Sequence, residues 1–276
     1  MRKIDAHQHF WKYNPVRDEW INDDMKQIQR DFLPADLEPL LMSDNFEGCV
    51  VVQSDQSPAE NIFQLGNTVD FDFIKGVVGW VDLKSEKLRE ELDVLSQHKK
   101  LKGFRHVLQG EHPDFMLDPL FKKGIVELSH YEYTYDLLLF PQHLPNAEIL
   151  VREHPYQNFV LDHLAKPRIK SGEIDGWKKD IVKLASHSNV CCKISGMITE
   201  ADWTTWKPEN FTPYMDVIFE AFGSKRVMFG SDWPVCLVAG TYDQVVSLAE
   251  GYVSRLSADE QAEFWGLNAI DFYKLN

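Results

Sequence analysis

The chain has 276 residues, 44% of them hydrophobic and 26% charged, with a formal net charge of −14. That length supports a core without disulfide or metal staples, and the balance of residue types excludes wholesale disorder. The acidic total excludes a surface built to grip nucleic acid or an anionic membrane, but not a small anionic ligand held by a few local arginines.

Taken in chain order, Met1-Arg2-Lys3-Ile4-Asp5 enters a strand pattern directly, without an apolar leader. No apolar run reaches the ~18 residues of a membrane span. A soluble, cytoplasmic protein is expected. A first strand is predicted over Lys3–His7. An irregular stretch, Phe10–Asp31, follows with Trp11, Tyr13 and Trp20 set among charged residues, then a helix over Pro34–Ser43. Strand and helix patterns alternate from there. The strands are Cys49–Gln53, Lys75–Trp80, Lys102–His106, Thr134–Leu139, Phe159–His163, Val190–Ser195 and Val227–Ser231. The helices are Pro58–Val69, Ser85–Gln97, Asp118–Leu128, His143–Glu153, Ile174–Ser186, Pro213–Phe222 and Thr241–Gly251. A short final helix is expected over residues 268–275.

Most of the strand segments are continuous apolar runs, the mark of strands covered on both faces. Several helices open on Pro, Ser, Thr or Asp start signals. Eight strand–helix units with crossovers of this length predict parallel pairing and closure into one (β/α)₈ TIM barrel, an α/β fold in a single domain over residues 1–276. The rival open sheet lacks support, since the sequence carries no G-x-G-x-x-G and no P-loop. Cys49, Cys191, Cys192 and Cys236 form no C-x-x-C pair and read as reduced, structural thiols.

Side chains suited to chemistry fall at predicted strand ends, where barrels of this kind place their active sites. His7-Gln8-His9 follows the first strand. Positions i and i+2 of an extended segment share a side, so two imidazoles enter the mouth together. They suit two ligands on one metal or two donors to a carbonyl oxygen; two polar residues at a strand end is the plainer alternative. Asp232, in Gly230-Ser231-Asp232-Trp233-Pro234 after the eighth strand, can take a proton from water, bind a metal, or simply cap a helix. His163 follows the sixth strand in Leu161-Asp162-His163-Leu164-Ala165-Lys166-Pro167. Its neighbour Asp162 is expected to point away as a structural partner, while Lys166 reaches the mouth. After the fourth strand Arg105 rather than His106 is expected to face inward and contact substrate. Lys193 shares a face with Cys191 and is expected to project into the barrel. Trp11, Tyr13, Trp20 and Trp233 suit stacking on a neutral sugar ring. The sequence contains no G-x-S-x-G and no H-E-x-x-H.

With these residues in this order, the chain resembles the amidohydrolase superfamily, in the sugar-lactonase branch of amidohydrolase-related family 2. The resemblance runs from Ile4-Asp5-Ala6-His7-Gln8-His9-Phe10-Trp11 to Asn268-Ala269-Ile270-Asp271-Phe272-Tyr273. On the way it takes in Lys102-Gly103-Phe104-Arg105, the His163 segment, Cys192-Lys193-Ile194-Ser195-Gly196 and the Asp232 segment. It implies a hydrolase that opens a lactone, such as L-fucono- or L-rhamnono-lactone, to its aldonic acid. By that likeness Asp232 is the general base for water, and His7, His9 and His163 stand at the carbonyl. Arg105, Trp11, Lys166 and Trp233 bind substrate. The strand-four Lys and strand-five His of many amidohydrolases are absent, so a bridged two-metal centre is not expected. One divalent ion, zinc, on His7, His9 and Asp232 remains open beside a metal-free site. Pyrone-dicarboxylate lactone hydrolysis, metal-dependent decarboxylation and a non-catalytic lactone binder remain as alternatives.

Overall fold

The computed structural model describes residues 1–275. Its eight strands are β1 (Ile4–Gln8), β2 (Gly48–Val52), β3 (Ile74–Gly79), β4 (Leu101–His106), β5 (Thr134–Leu137), β6 (Phe159–Leu161), β7 (Val190–Ile194) and β8 (Val227–Phe229). They lie in sequence order and every neighbouring pair is parallel. The sheet closes where the segment after β8 meets β1: Asp232 N–H donates to His7 O at 2.8 Å and His9 N–H to Trp233 O at 2.7 Å. Helices α1 (Pro34–Ser43), α2 (Pro58–Asp70), α3 (Leu88–Leu95), α4 (Pro119–His130), α5 (Leu144–Glu153), α6 (Asp175–Ala185), α7 (Thr212–Phe222) and α8 (Tyr242–Val253) each follow one strand. This is the expected (β/α)₈ barrel.

The apolar runs acquire two environments. Residues facing outward from the strands join the helices in one large core. Inside the barrel Ile4, Ala6, Val50, Val52, Val78, Val160 and Met228 meet Ala269, Tyr273 and Leu275. The last three come from the chain end, which forms α9 (Ala258–Ala262), a π-helical turn (Glu263–Leu267) and α10 (Asn268–Phe272). That end plugs the barrel where the strands begin: Lys102 Nζ donates to Lys274 O at 3.1 Å, and the turn's Gly266 lies against the backbone of Arg2. The sequence reading includes the final helix but not α9 or the π turn. Among the described residues no helix is long and apolar enough to cross a membrane.

One departure from regular strand geometry positions the site. From Asp5 to Gln8 β1 advances three residues while β2 advances two, Cys49 to Val51. Strict alternation would put His7 on the outer face with Asp5, whose carboxylate accepts from Tyr242 of α8 at 3.3 Å. The bulge turns His7 inward and sends Gln8 outward, where its amide donates to Cys49 Sγ at 3.2 Å.

Candidate active site

The strand ends leave a cavity of about 230 Å³ at the mouth of the barrel. Its polar wall is His9, Ser54, Arg105, Gln109, His163, Lys166 and Asp232; its apolar wall is Trp11, Trp20, Val107, Leu138 and Val235. The residue types expected at the mouth are therefore brought together, with three exceptions, of which Tyr13 simply lies outside the cavity lining. His7 is fully buried just behind the cavity wall. Trp233 is 2% exposed and packs edge-on against Phe10 and Phe32, so it is a core residue rather than part of the sugar-facing wall. Its peptide lies in the seam that closes the barrel, which turns the indole under the site.

Backbone conformation aims the polar groups. His163, Leu164, Ala165 and Lys166 are all left-handed, with φ of 52°, 56°, 57° and 50°. This tight turn, held by Lys166 N–H to His163 O at 2.7 Å, puts both His163 and Lys166 on the cavity. Asp232 is left-handed as well, at φ 57°. Gly196, at φ +59°, runs under His163: a Cβ there would stand 2.6 Å from His163 Nδ1 and 3.1 Å from Asp232 Oδ2. Such strain is concentrated where function requires side chains off their default course.

Asp232 is the centre of the arrangement. Its Oδ1 is buried without a hydrogen-bond partner, 3.4 Å from His9 Nε2, 3.8 Å from His163 Nε2 and 4.0 Å from His7 Nε2. Burial works to raise its carboxyl, but the imidazoles of His163, His9 and His7 outweigh that and hold it below the usual carboxylate range. His163 is pushed down to about 4, chiefly by burial, so its ring is neutral near pH 7; its Nδ1 lies 2.8 Å from Ser195 Oγ. The outward ring nitrogen of His9 is fixed by Val52 O, 2.7 Å from Nδ1. A carbonyl only accepts, so Nδ1 carries a hydrogen toward Val52 O and the ring presents Nε2 to Asp232.

Beneath this layer lies a closed network of charge. Lys193, fully buried, is 2.5 Å from Asp136 Oδ2 and 3.0 Å from Asp162 Oδ1. Arg105 Nη1 lies 3.2 Å from Asp162 Oδ2, and its Nη2 donates to Gln53 O at 2.6 Å. Two cations therefore balance two carboxylates. Burial acts to raise Asp162, but Lys193, His7 and Arg105 hold it well below the usual range. Asp136 is pushed up to about 6 by burial, against the pull of Lys193, and Tyr273 Oη donates to it at 2.9 Å. The structure corrects the expectation for Asp162. It does not point away: β6 ends at Leu161, strand alternation stops with it, and the left-handed turn delivers Asp162 to His7 Nδ1 at 3.2 Å. Lys193 and Arg105 face inward as expected. Asp136 and Tyr273 are absent from the expected site. Asp136 is a lone charge in an apolar strand, which is a legible signal; nothing local marks Tyr273, whose place depends on how the chain end docks.

Two groupings among the described residues have ligand atoms close enough for a metal: His7, His9 and Asp232, and His7, Asp162 and His163. They differ in what already neutralises them. In the second, Asp162 has Lys193 on one oxygen and Arg105 on the other. In the first, the Asp232 oxygen is buried without a hydrogen-bond partner, 3.4 Å from His9 Nε2. The first set fits one divalent cation; the second is supplied with cations by the protein itself.

A (β/α)₈ barrel with paired histidines at the end of β1, a histidine after β6 and an aspartate after β8 is the architecture of a metal-associated hydrolase. The chain belongs to the amidohydrolase family, whose profile matches residues 4–275. It is 38% identical over 285 residues to the L-fucono-1,5-lactonase of Burkholderia multivorans, with 99% of this chain and 96% of that one covered. The L-fucono-1,5-lactonase of Burkholderia ambifaria is 36% identical over 281 residues, covering 99% and 96%. The crystal structure of an amidohydrolase from Burkholderia multivorans with bound zinc superposes with a TM-score of 0.96 at 38% identity over all of both chains. At 18% identity, a probable 2-pyrone-4,6-dicarboxylic acid hydrolase from Acinetobacter baumannii shares the fold, with a TM-score of 0.81.

Proposed function

We propose that this chain is a lactonase that hydrolyses a sugar lactone, an L-fucono-lactone-type aldonolactone, to its aldonic acid. The observation that carries the reading is the buried, unpartnered Asp232 Oδ1 at the wall of a small cavity, with His9 and His163 beside it. The kinship with the two Burkholderia lactonases supports the substrate class. A cavity with aromatic rings on one side and hydrogen-bonding groups on the other suits a polyhydroxylated ring.

In the reaction, water adds to the lactone carbonyl carbon as Asp232 takes its proton. The Arg105 guanidinium and Lys166 ammonium line the same cavity and stabilise negative charge on the former carbonyl oxygen. The bond from the carbonyl carbon to the ring oxygen then breaks, and the ring oxygen leaves as a hydroxyl carrying the transferred proton. One water is consumed, and an open hydroxy acid is formed. Trp11 and Trp20 flank the ring, while Gln109 and Ser54 offer hydrogen bonds to its hydroxyls. His7, His9 and Asp232 are the set that would hold a zinc ion, which when bound supplies Lewis-acid polarisation and a more acidic water.

A pH-indicator assay over a panel of sugar lactones and pyrone-dicarboxylate lactone tests this reading. Acid release from an L-fucono- or L-rhamnono-type lactone is expected. Silence across the panel from folded, zinc-supplied protein would reject it, and carbon dioxide release from aromatic acids would replace it with decarboxylation. A chelator arm assigns the ion: lost turnover that zinc restores gives it a part in the reaction, whereas retained turnover leaves the reaction to the side chains alone.

A further inference from the structure

Several polar groups on the cavity wall are already engaged by the protein. Ser54 Oγ donates to Glu60 Oε1 at 3.2 Å, His163 Nδ1 meets Ser195 Oγ, and the Arg105 guanidinium is taken up by Asp162 and Gln53 O. Gln109 differs. Its Oε1 is buried and, among the described residues, has no hydrogen-bond partner. The other such oxygen on this wall is Asp232 Oδ1, which has its own part in the reaction. A buried amide oxygen without a donor is costly unless a ligand supplies one. The backbone that carries Gln109 is meanwhile held on both sides. The residue lies in the 3₁₀ turn Leu108–Gly110, directly after β4. Before it, Val107 N–H donates to Gln56 Oε1 at 2.7 Å, and Leu108 is buried. After it, Glu111 is fixed twice: its O accepts from His143 Nε2 at 3.1 Å, and its Oε1 from His106 Nε2 at 2.9 Å. His106 is oriented in turn by Trp80, whose indole only donates and reaches His106 Nδ1 at 3.3 Å, and by the ring of Phe115 stacked on it.

A free side chain on a fixed backbone is a selector. The inward oxygen of Gln109 needs a hydrogen from whatever fills the cavity. A sugar hydroxyl has one to give. A carboxylate only accepts, so an acidic substituent in the same place leaves Oε1 stranded. We propose, on the reading of this chain as a sugar lactonase, that Gln109 is its specificity-determining residue, accepting the hydrogen of one ring hydroxyl, and that His106 is the positioning residue that holds the turn where Gln109 can do so. Ser54 is less suited to this part, because its hydroxyl hydrogen and backbone N–H are both committed to Glu60. The enzyme then selects by hydroxyl pattern. A lactone with that hydroxyl inverted or replaced by hydrogen leaves a buried acceptor unpaired, and a site of this kind rejects such an analogue far more strongly than an apolar pocket rejects a missing methylene.

The test is steady-state hydrolysis, followed by proton release, of L-fucono-lactone and a set of analogues in which one ring hydroxyl at a time is inverted or replaced by hydrogen. The wild type is expected to disfavour one analogue by at least about 10²-fold in kcat/KM against the parent. Gln109→Met, similar in length but without the amide, is expected to narrow that gap to less than about tenfold, with the loss falling on the parent. If Gln109→Met ranks the set as the wild type does, the proposal is overturned while the lactonase reading stands. If the folded wild type opens no lactone at all, that reading fails and the proposal falls with it. His106→Phe keeps the stack on Phe115 and removes both hydrogen bonds. It is expected to flatten the same ranking, raising KM for the parent more than it lowers kcat, and His106→Gln, which still offers an acceptor to Trp80 and a donor to Glu111, is expected to restore part of it. Glu111→Ala cuts the same contact from its more exposed end and decides the point if His106→Phe does not fold. A wild-type ranking in whichever of these two variants is read removes His106 from its role.

Discussion

A carboxylate oxygen that is buried, ionised and without a donor is costly unless it is used. Asp232 Oδ1 is such an atom, and its neighbours His9 and His163 face the same cavity. Asp232→Asn keeps the shape and removes the base. Turnover is expected to fall by roughly 10²–10⁴-fold, read by proton release, with the melting temperature near that of the wild type; turnover close to wild type would remove Asp232 from its role. A second expectation concerns Gly196, whose φ of +59° and 2.6 Å approach to His163 Nδ1 exclude a side chain. Gly196→Ala is expected to cost about 1–3 kcal/mol of stability and to displace His163, lowering kcat. Gly110→Ala, where an added methyl meets nothing within 4 Å, is the matched control and is expected to leave both unchanged. Imidazoles and a carboxylate at strand ends stand out from an apolar background, so His7, His9, His163 and Asp232 are legible from sequence. Asp162 is misread, and the contact of Ser195 Oγ with His163 Nδ1 is not foreseen, because a left-handed turn and a cross-strand hydroxyl contact leave no periodic trace.

Elements set the shape of the cavity. The segment after β1 was legible as a long loop, but its parts have different jobs. Trp11 is 2% exposed, pairs in a bridge with Phe32 and donates from its indole to Arg30 O at 2.9 Å. Trp20 is 45% exposed and meets Trp11 edge-on, at a ring separation of 6.0 Å. Both line the cavity, whereas Tyr13 does not. Trp11→Ala is therefore expected to cost about 3–5 kcal/mol, as for a core aromatic. Trp20→Ala is expected to melt within about 0.5 kcal/mol of the wild type and to raise KM more than it lowers kcat. Chemical denaturation and steady-state kinetics on the two variants separate these roles; equal destabilisation would mean that the loop acts as one structural unit. The β1 bulge is the other device at this scale. Sequence alone gives the pair spacing of His7 and His9, but not the slip that brings His7 inside, because a bulge is set by pairing with β2.

At the scale of the whole chain, the (β/α)₈ architecture was legible because buried parallel strands read as apolar runs and the intervening helices carry clear start signals. Boundaries differ from expectation by at most two residues, except that α3 opens at Leu88 rather than Ser85 and the final helix ends at Phe272; two-residue losses fall where the chain turns into the site, with β6 stopping at Leu161 and β8 at Phe229. The barrel floor was far less legible. It depends on α10 and the residues after it folding back under the strands, a contact between the two ends of the chain that no local pattern encodes. There Tyr273, 1% exposed, joins the interior apolar cluster and donates to Asp136, which in turn holds Lys193. Two substitutions separate these parts. Tyr273→Phe keeps the ring and deletes the hydroxyl, leaving Asp136 with Lys193 as its remaining partner; a loss of about 1–3 kcal/mol is expected. Tyr273→Ala also empties the floor, with an expected loss of about 3–5 kcal/mol. For a chain of this size each kcal/mol lowers the melting temperature by roughly 2–4 °C, so thermal melts resolve the two steps. If Tyr273→Phe melts with the wild type while Tyr273→Ala does not, the floor is held by packing alone and the buried carboxylate needs no hydroxyl. If both fall in the expected order, the chain end is tied through Asp136 and Lys193 to the layer that carries His7.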